Sequence, residues 1–177
     1  MRRDEDSFVE FAHATRDRLR RMVYLACGDW ELAADHVQEG LVRVYVAWPR
    51  LTKQGREYAY ARKAVMSAFL DHGRRRSSHE HPHGDASLVG GPVVGDHAES
   101  VATRAVIVEA LGDLPPRQRA VVVLRFFEDL TVSETAAALG CSEGTVKSQT
   151  SKALSSLRTH LDDVRPDVLA QLGASTW

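Results

Sequence analysis

Residues 131–157 have the sequence TVSETAAALGCSEGTVKSQTSKALSSL, which decides the fold of the second half of the chain. Thr131, with Glu134 three positions later, predicts a capping box at the start of a helix. Gly140 suits the left-handed position that ends this helix, and Ser142 is suited to cap the next one. Two helices joined by a turn of about three residues, with glycine in the turn, are typical of a helix-turn-helix.

The second helix of this motif has two different faces. Steps of three and four predict a buried stripe made of Val146, Thr150, Ala153, Leu154, Leu157 and Leu161. The opposite face is polar and mildly cationic, with Glu143, Lys147, Ser148, Ser151, Lys152 and Ser155. In such helices the first residues contact base edges, while lysines and hydroxyl groups contact phosphates. An ordinary helix pair with a solvated outer face is the alternative, but the caps, the glycine and the polar face together favour DNA binding.

Two shorter helices are predicted ahead of this motif. The first is marked by Val101, Ala105, Val108 and Leu111. The prolines of Leu114-Pro115-Pro116 end it and start the next helix, whose first turn tolerates proline. This next helix, over residues 117–127, is predicted to bury Val121, Leu124 and Phe127.

The first half of the chain has the apolar spacing of three amphipathic helices. They cover residues 8–26, residues 32–48, where Pro49 follows, and residues 58–69, with an end near Gly73. No segment alternates with a period of two, as a half-buried strand would. We therefore predict an all-α protein whose first half is a three-helix bundle of about 70 residues, near the lower size limit for an independent core.

Charge is distributed unevenly along a chain that is nearly neutral overall. The 177 residues include 23 Lys and Arg against 24 Asp and Glu. Residues 56–76 are basic, whereas residues 77–100 are acidic, contain no Lys or Arg, and are rich in Gly, Pro, Ser and His, as a flexible linker is. The predicted organisation is two small helical domains and a tether: domain 1–76, linker 77–100, domain 101–161 and tail 162–177.

Two polar surfaces in the first half allow more than one interpretation. Asp35, Gln38, Glu39 and Arg43 share one side of the second helix, and their spacing alone favours a solvated face over a docking surface for a basic partner. At the end of the third helix, the positive charges of Arg74-Arg75-Arg76 would interact favourably with the negative end of the helix dipole. Three consecutive arginines exceed what capping needs, and they also suit backbone phosphates.

Several classes of protein are not expected. No apolar run approaches the length that crosses a bilayer, and no signal-peptide pattern occurs. Cys27 and Cys141 are too few for a disulfide scaffold and fit a cytoplasmic protein, where we expect them to be packing residues. No paired-carboxylate, P-loop or nucleophile-elbow pattern occurs, so we expect no enzyme and no cofactor. A metal-responsive binder is the alternative raised by the linker histidines, which lack fixed geometry: His79, His81, His83 and His97.

With these motifs in place, the chain resembles a known family. Residues 114–158 resemble region 4 of the extracytoplasmic-function (ECF) sigma factors of the sigma-70 superfamily, in the sigma-E-like actinobacterial subgroup. Residues 31–76 resemble region 2, with DHVQEGLVRVY (35–45) and LDHGRRR (70–76) as its marks. The resemblance implies a non-enzymatic promoter-specificity subunit of RNA polymerase. Its partners would be core polymerase, promoter DNA and an anti-sigma factor.

The resemblance also implies roles for individual residues. The residues that match the surface docking on the clamp of the largest polymerase subunit are Asp35, Gln38, Glu39 and Arg43, which reverses the solvated-face interpretation. The matches to the minus-10 surface are Arg62, Lys63, Ser67, Asp71, Arg74 and Arg75. The matches to the minus-35 recognition helix are Ser142, Glu143, Gly144, Thr145, Lys147, Ser148, Gln149 and Lys152.

Two positions depart from the family pattern. Met66-Ser67 stands where the family usually has Arg-Asn, so a hydroxyl replaces an amide. Gln149 stands where an arginine is common, which removes a cation and offers a side chain able to pair with adenine. A polymerase-independent helix-turn-helix regulator is the competing class. It would leave the polar face of the second helix unexplained, and no dimerisation helix is present in the sequence pattern.

Overall fold

The computed structural model describes residues 2–51, 55–78 and 106–164. Every regular element in these residues is helical, which confirms the all-α prediction. The elements are α1 (Arg2–Cys27), α2 (Trp30–Leu51), α3 (Glu57–Ser78), α4 (residues 106–112), α5 (Pro116–Val122), a π-helical turn (Val123–Phe127), α6 (Val132–Leu139) and α7 (Glu143–Val164). No helix among the described residues is long and apolar enough to cross a membrane.

Helices α1, α2 and α3 form the predicted bundle around a closely packed core. Its fully buried side chains include Leu19, Val23, Val44, Val65 and Met66. Two helices are longer than the sequence predicts, because α2 continues through Pro49 to Leu51 and α3 continues past Gly73 to Ser78. The remaining linker residues, 79–100, lie outside the described residues, and so do residues 101–105 of the predicted second domain and the four linker histidines.

The helix-turn-helix forms as the sequence predicts. The Thr131 hydroxyl accepts a hydrogen bond from the Glu134 backbone N–H at 3.2 Å, and the Glu134 carboxylate accepts one from the Thr131 N–H at 2.8 Å. Gly140 has φ 64° and ψ 40°, a left-handed conformation that costs glycine little. Ser142 accepts a hydrogen bond from the Thr145 N–H at 3.1 Å and so caps α7. These bonds define the starts of α6 and α7, and Gly140 forms the turn between them.

The predicted helix over residues 117–127 is wrong in its second half. The chain changes from α-helix to a π-helical turn at Val123, and Phe127 is 42% exposed instead of buried. The wider turn rotates the residues that follow it around the axis, which accompanies the exposure of Phe127. Val122 and Val123 are buried as well as the predicted Val121 and Leu124. In α7, likewise, Leu154 is exposed although it was predicted to be buried, while the small neighbouring Ala153 makes the close contact.

The first and second halves of the chain pack against each other. Leu111, Leu114 and residues 122–124 belong to the same buried cluster as Leu19 and Val65. Arg119 strengthens this contact, since its Nη1 donates to the carbonyl oxygen of Ala26 at the end of α1, at 2.7 Å. We call this packing of the α1–α3 bundle against helices α4–α7 the closed arrangement. Sequence patterning predicts two tethered units and contains no signal for this contact.

Candidate nucleic-acid interface

The first three turns of α7 form a continuous polar surface. Of the eight residues predicted to contact the minus-35 element, six are exposed and Thr145 and Gln149 are half-buried. The Ser142 and Thr145 hydroxyls lie 2.9 Å apart, and the Ser148 hydroxyl donates to the Thr145 carbonyl oxygen at 3.0 Å. Glu143, Lys147 and Lys152 are the exposed long side chains of this surface, and Gln149 is half-buried beside them.

The predicted docking residues lie together on the outer face of α2. Asp35 and Gln38 are exposed, while Glu39 and Arg43 are half-buried and form an ion pair at 2.5 Å. A contiguous apolar patch adjoins them, in which Val42 and Tyr45 are exposed and Val46 is 79% exposed. Exposed apolar side chains in such a cluster are typical of a protein interface.

Sequence reasoning missed this apolar patch. The apolar spacing of residues 32–48 places Tyr45 on the buried side of the helix and gives Val42 and Val46 no role. The available signal was that Val42 and Val46 stand four positions apart on the polar side of an amphipathic helix. The patch continues into a groove between α1 and α2, whose floor includes Phe8, Val9, Leu41, Val42 and Tyr45.

Asp71 connects the docking face to the predicted minus-10 surface. Its carboxylate forms one ion pair with Arg74 on α3 and another with Arg43 on α2, the latter at 3.4 Å. The hydrogen bond from Arg74, followed by that from Arg43, holds the pKa of Asp71 below its usual range. The charged form is therefore favoured, and the end of α3 is held beside α2.

Arg62 does not join Arg74 and Arg75. Its side chain is only 13% exposed, and its Nη1 lies 3.4 Å from Oε2 of Glu128, a residue in the turn between α5 and α6. The same oxygen lies 3.2 Å from the Tyr58 hydroxyl and 3.4 Å from Nη2 of Arg18. Burial and the Glu128 charge raise the pKa of Tyr58 to about 12, so its hydroxyl stays protonated and donates to Glu128. Of the other minus-10 candidates, Lys63 is exposed and Ser67 is half-buried.

Burial shifts the pKa of two side chains, His36 and the half-buried Cys27. His36 is buried between α2 and α3, its ring 5.4 Å from that of His72, and burial followed by the His72 charge lowers its pKa. Burial raises the pKa of the Cys27 thiol to about 11, in keeping with a packing residue. Among the described residues, no group of three or more His, Cys, Asp or Glu side chains is arranged to hold a metal ion.

Comparison with known proteins identifies the family. The family model "Sigma-70 region 2" matches residues 11–79, and "Sigma-70, region 4" matches residues 110–159. The RNA polymerase sigma-E factor of Streptomyces avermitilis is 37% identical over 155 residues, which cover 88% of this chain and 85% of that protein. The chain belongs to the sigma-70 family of RNA polymerase sigma factors. Its function is therefore to direct promoter-specific initiation of transcription by RNA polymerase.

Other relatives agree on the group and on the fold. The ECF RNA polymerase sigma factor SigM of Mycobacterium tuberculosis is 28% identical over 85% of this chain and 74% of its own length. A solved structure of the sigma factor RpoE, in complex with the anti-sigma factor NepR from Bartonella quintana, superposes with a TM-score of 0.68. That structure is 20% identical, covers 90% of this chain and 99% of its own, and supports the fold alone. Membership of this family removes the alternative of a polymerase-independent regulator.

Proposed function

We propose that this sigma factor divides promoter recognition among three surfaces: the outer face of α2, the exposed side of α3 and the first turns of α7. The observation that carries the proposal is their exposure as separate polar faces on helices whose other sides are buried. We assign residues 1–76 to polymerase docking and minus-10 recognition, and residues 101–161 to minus-35 recognition. Residues 77–100 would act as the tether between them.

The α7 surface is proposed to bind the minus-35 element in the major groove. Lys147 is exposed about one turn from the start of α7, and Lys152 is exposed further along the same helix. Cations at these positions can contact DNA phosphates. Gln149 carries an amide suited to adenine. Ser142 and Thr145 would shape the end of the helix that approaches the bases, because their hydroxyls are already engaged in capping it.

The α3 surface is proposed to bind and separate the minus-10 element. Lys63, Arg74 and Arg75 are exposed on this helix and would contact the DNA backbone. Ser67 and Asp71 are half-buried beside them and offer oxygen atoms to an unstacked base. Unstacking a base costs a few kcal/mol, which contacts in a protein pocket would offset. The proposed work is binding and strand separation, with no covalent chemistry and no cofactor.

The α2 face is proposed to dock on the clamp of the largest polymerase subunit. Asp35, Gln38 and Glu39 would contact a basic and polar partner surface, and Val42, Tyr45 and Val46 would bury apolar area beside them. This mixture of an apolar centre and a polar edge is typical of protein interfaces. An anti-sigma factor that covers these surfaces is a further proposed partner, and the proposed location is the cytoplasm, at the nucleoid.

Run-off transcription tests these assignments. The chain is combined with bacterial core polymerase on genomic promoter fragments, and transcript ends are mapped. We expect start-site-specific transcripts. Absence of any specific transcript, together with absence of core binding, would contradict the proposal.

Two variants separate the surfaces. Lys147→Ala should weaken binding to promoter DNA uniformly and reduce the slope of log K against log salt by about one. Arg158→Ala is the matched control, because it removes an exposed cation from the distal half of the same helix. Gln38→Ala combined with Val42→Ala should weaken binding to core polymerase and leave duplex binding by α7 unchanged. Equal effects of Lys147→Ala and Arg158→Ala would contradict the assignment of α7.

A further inference from the structure

The groove between α1 and α2 is an apolar surface that remains open in the described part of the chain. It has a volume of about 780 Å³, and the residues that line it all come from these two helices. Among them, Val9, Val42 and Tyr45 are each about half exposed. Pockets of roughly 300–1,000 Å³ hold drug-sized ligands. The groove is therefore large enough for several side chains of a peptide segment.

The two ends of the groove carry opposite charges. Arg16 and Arg20 line the end nearer the C-terminus of α1, which we call the basic end. Glu5 lines the other end, about 22 Å away along the helix. The Arg20 guanidinium donates to the Trp30 carbonyl oxygen at 2.9 Å and lies 4.3 Å from the centre of the Trp30 ring, which holds this cation in place. A segment that fits the groove would be acidic at the basic end and apolar along its length.

Residues 165–177, which lie outside the described residues, have this order of chemistry in their sequence, RPDVLAQLGASTW. Asp167 comes near the start, and no Lys or Arg follows Arg165. Apolar residues then follow, namely Val168, Leu169, Leu172 and Trp177. The indole N–H of tryptophan is a hydrogen-bond donor, for which the Glu5 carboxylate is a suitable acceptor. Charge and apolar character thus match the groove from one end to the other.

The end of α7, where this segment starts, lies near the basic end of the groove. His160 of α7 lies 2.9 Å from Asp113, and Arg119 donates both to the residue before Asp113, at 2.6 Å, and to Ala26 of α1, at 2.7 Å. The basic end begins about 9 Å further back along α1. The 13 residues after Val164 span at most about 45 Å when extended, so they are long enough to reach the groove and follow it.

We propose that the groove between α1 and α2 is a docking site for residues 165–177 of the same chain, with Asp167 at the basic end and Trp177 toward Glu5. The segment then covers Gln38, Val42 and Tyr45, which the proposed function places on the polymerase-docking face. This consequence rests on the proposed function: the segment and core polymerase compete for the same part of α2.

A spin label near the end of the segment tests the docking without polymerase. A nitroxide is attached to Thr176→Cys in the full chain, with Cys27→Ser and Cys141→Ser to remove other thiols. We expect it to broaden the amide resonances of Phe8, Val9 and Val42. The matched control is a label on Ser155→Cys in the same background, an exposed position on α7 that should leave these resonances sharp. Broadening confined to α6 and α7, or no broadening, would overturn the proposal.

The broadening must come from the apolar side chains of the same molecule. Leu169→Ser/Leu172→Ser in the labelled chain should abolish it, whereas Gln171→Ala should preserve it. A mixture of labelled, ¹⁴N chain with unlabelled, ¹⁵N chain should show none. Broadening in the mixture would assign the groove to a second copy of the chain and overturn the intramolecular site.

Binding to core polymerase tests the competition. A tethered segment has an effective concentration of about 1 mM, so an intrinsic Kd of about 0.1 mM for the groove would weaken polymerase binding about tenfold. Leu169→Ser/Leu172→Ser should therefore bind core polymerase about tenfold more tightly than wild type, and Gln171→Ala should bind as wild type does. Unchanged affinity of the double variant would overturn the competition. If wild type gives no specific transcripts with core polymerase, the proposed function fails, whereas the spin-label result tests the groove by itself.

Discussion

Gly40 shows how a single residue sets the distance between α2 and α3, the two helices that carry the proposed docking and minus-10 surfaces. A Cβ atom at this position would lie 2.5 Å from a side-chain carbon of Val65 and 2.9 Å from its backbone nitrogen. The backbone of α3 therefore lies directly against α2 at this point. Sequence patterning did not single out Gly40, because its φ is ordinary and its role depends on a partner helix.

Gly40→Ala should destabilise the bundle by about 1–3 kcal/mol, since the added methyl group must displace the backbone of α3. Urea unfolding followed by circular dichroism measures the change. Gly112→Ala is the control, because a Cβ there meets nothing within 4 Å and should change the free energy of unfolding by less than about 1 kcal/mol. Equal loss in both variants would show that the contact with Val65 does not limit packing.

The buried imidazole of His36 predicts a dependence of stability on pH. Burial and the nearby His72 hold its folded pKa below 6.5, against smaller opposite effects of Glu39 and Asp35. Between the folded pKa and about 6.5, the unfolded state binds more protons, so the free energy of unfolding rises with pH and falls on acidification. His36→Gln should reduce this slope in urea titrations between pH 5 and pH 8. Replacement of the exposed His13 by Gln should leave the slope unchanged.

At the scale of elements, the helix-turn-helix and the π-helical turn have different origins. The caps of α6 and α7 are hydrogen bonds between residues three positions apart, so they can be predicted from the local sequence. The π-helical turn lies where α5 meets the first bundle, and the burial of Val122 and Val123 against that bundle accompanies it. Local propensity contains no signal for that partner, which explains the wrong orientation predicted for Phe127.

Loss of the α6 cap should destabilise the helix-turn-helix. Thr131→Ala removes the hydroxyl that accepts the Glu134 N–H and should cost about 1 kcal/mol, whereas Thr131→Ser keeps the bond and serves as the control. The backbone N–H and hydroxyl of Thr131 lower the pKa of Glu134. This contribution to stability is present above the unfolded pKa and is lost as the pH falls through the folded pKa. Thermal melts from pH 7 to pH 3 should show a smaller loss in Thr131→Ala than in wild type.

At the scale of the whole molecule, the closed arrangement joins two family regions into one cooperative core. Residues from both halves belong to one buried cluster, and the Arg62–Glu128 ion pair and the Arg119 contact also join the two halves. A 70-residue bundle alone is near the lower limit of independent stability, so this contact adds needed burial.

The shared core predicts a single unfolding transition. In a Trp177→Phe background, the remaining tryptophans, Trp30 and Trp48, report on the first bundle, while circular dichroism reports on all helices. We expect both signals to give one urea midpoint in the otherwise unmodified chain, because the two halves unfold together. Glu128→Gln should lower that midpoint or separate the two curves. Two well-separated transitions before any substitution would contradict the shared core.

The sequence by itself determined the helices, the helix-turn-helix with its caps, and the family, because apolar periodicity and capping are local and the two region motifs are contiguous. It also predicted the polar face of α7, whose role in recognition stays a proposal. Only the tertiary structure decided that Arg62 faces Glu128, that Gly40 meets Val65, and that Val42 and Val46 are exposed beside the proposed docking face. Each of these facts depends on which residues, distant in sequence, become neighbours in the folded chain. Local sequence patterns contain no signal for such neighbours, because burial and charge pairing between helices select them.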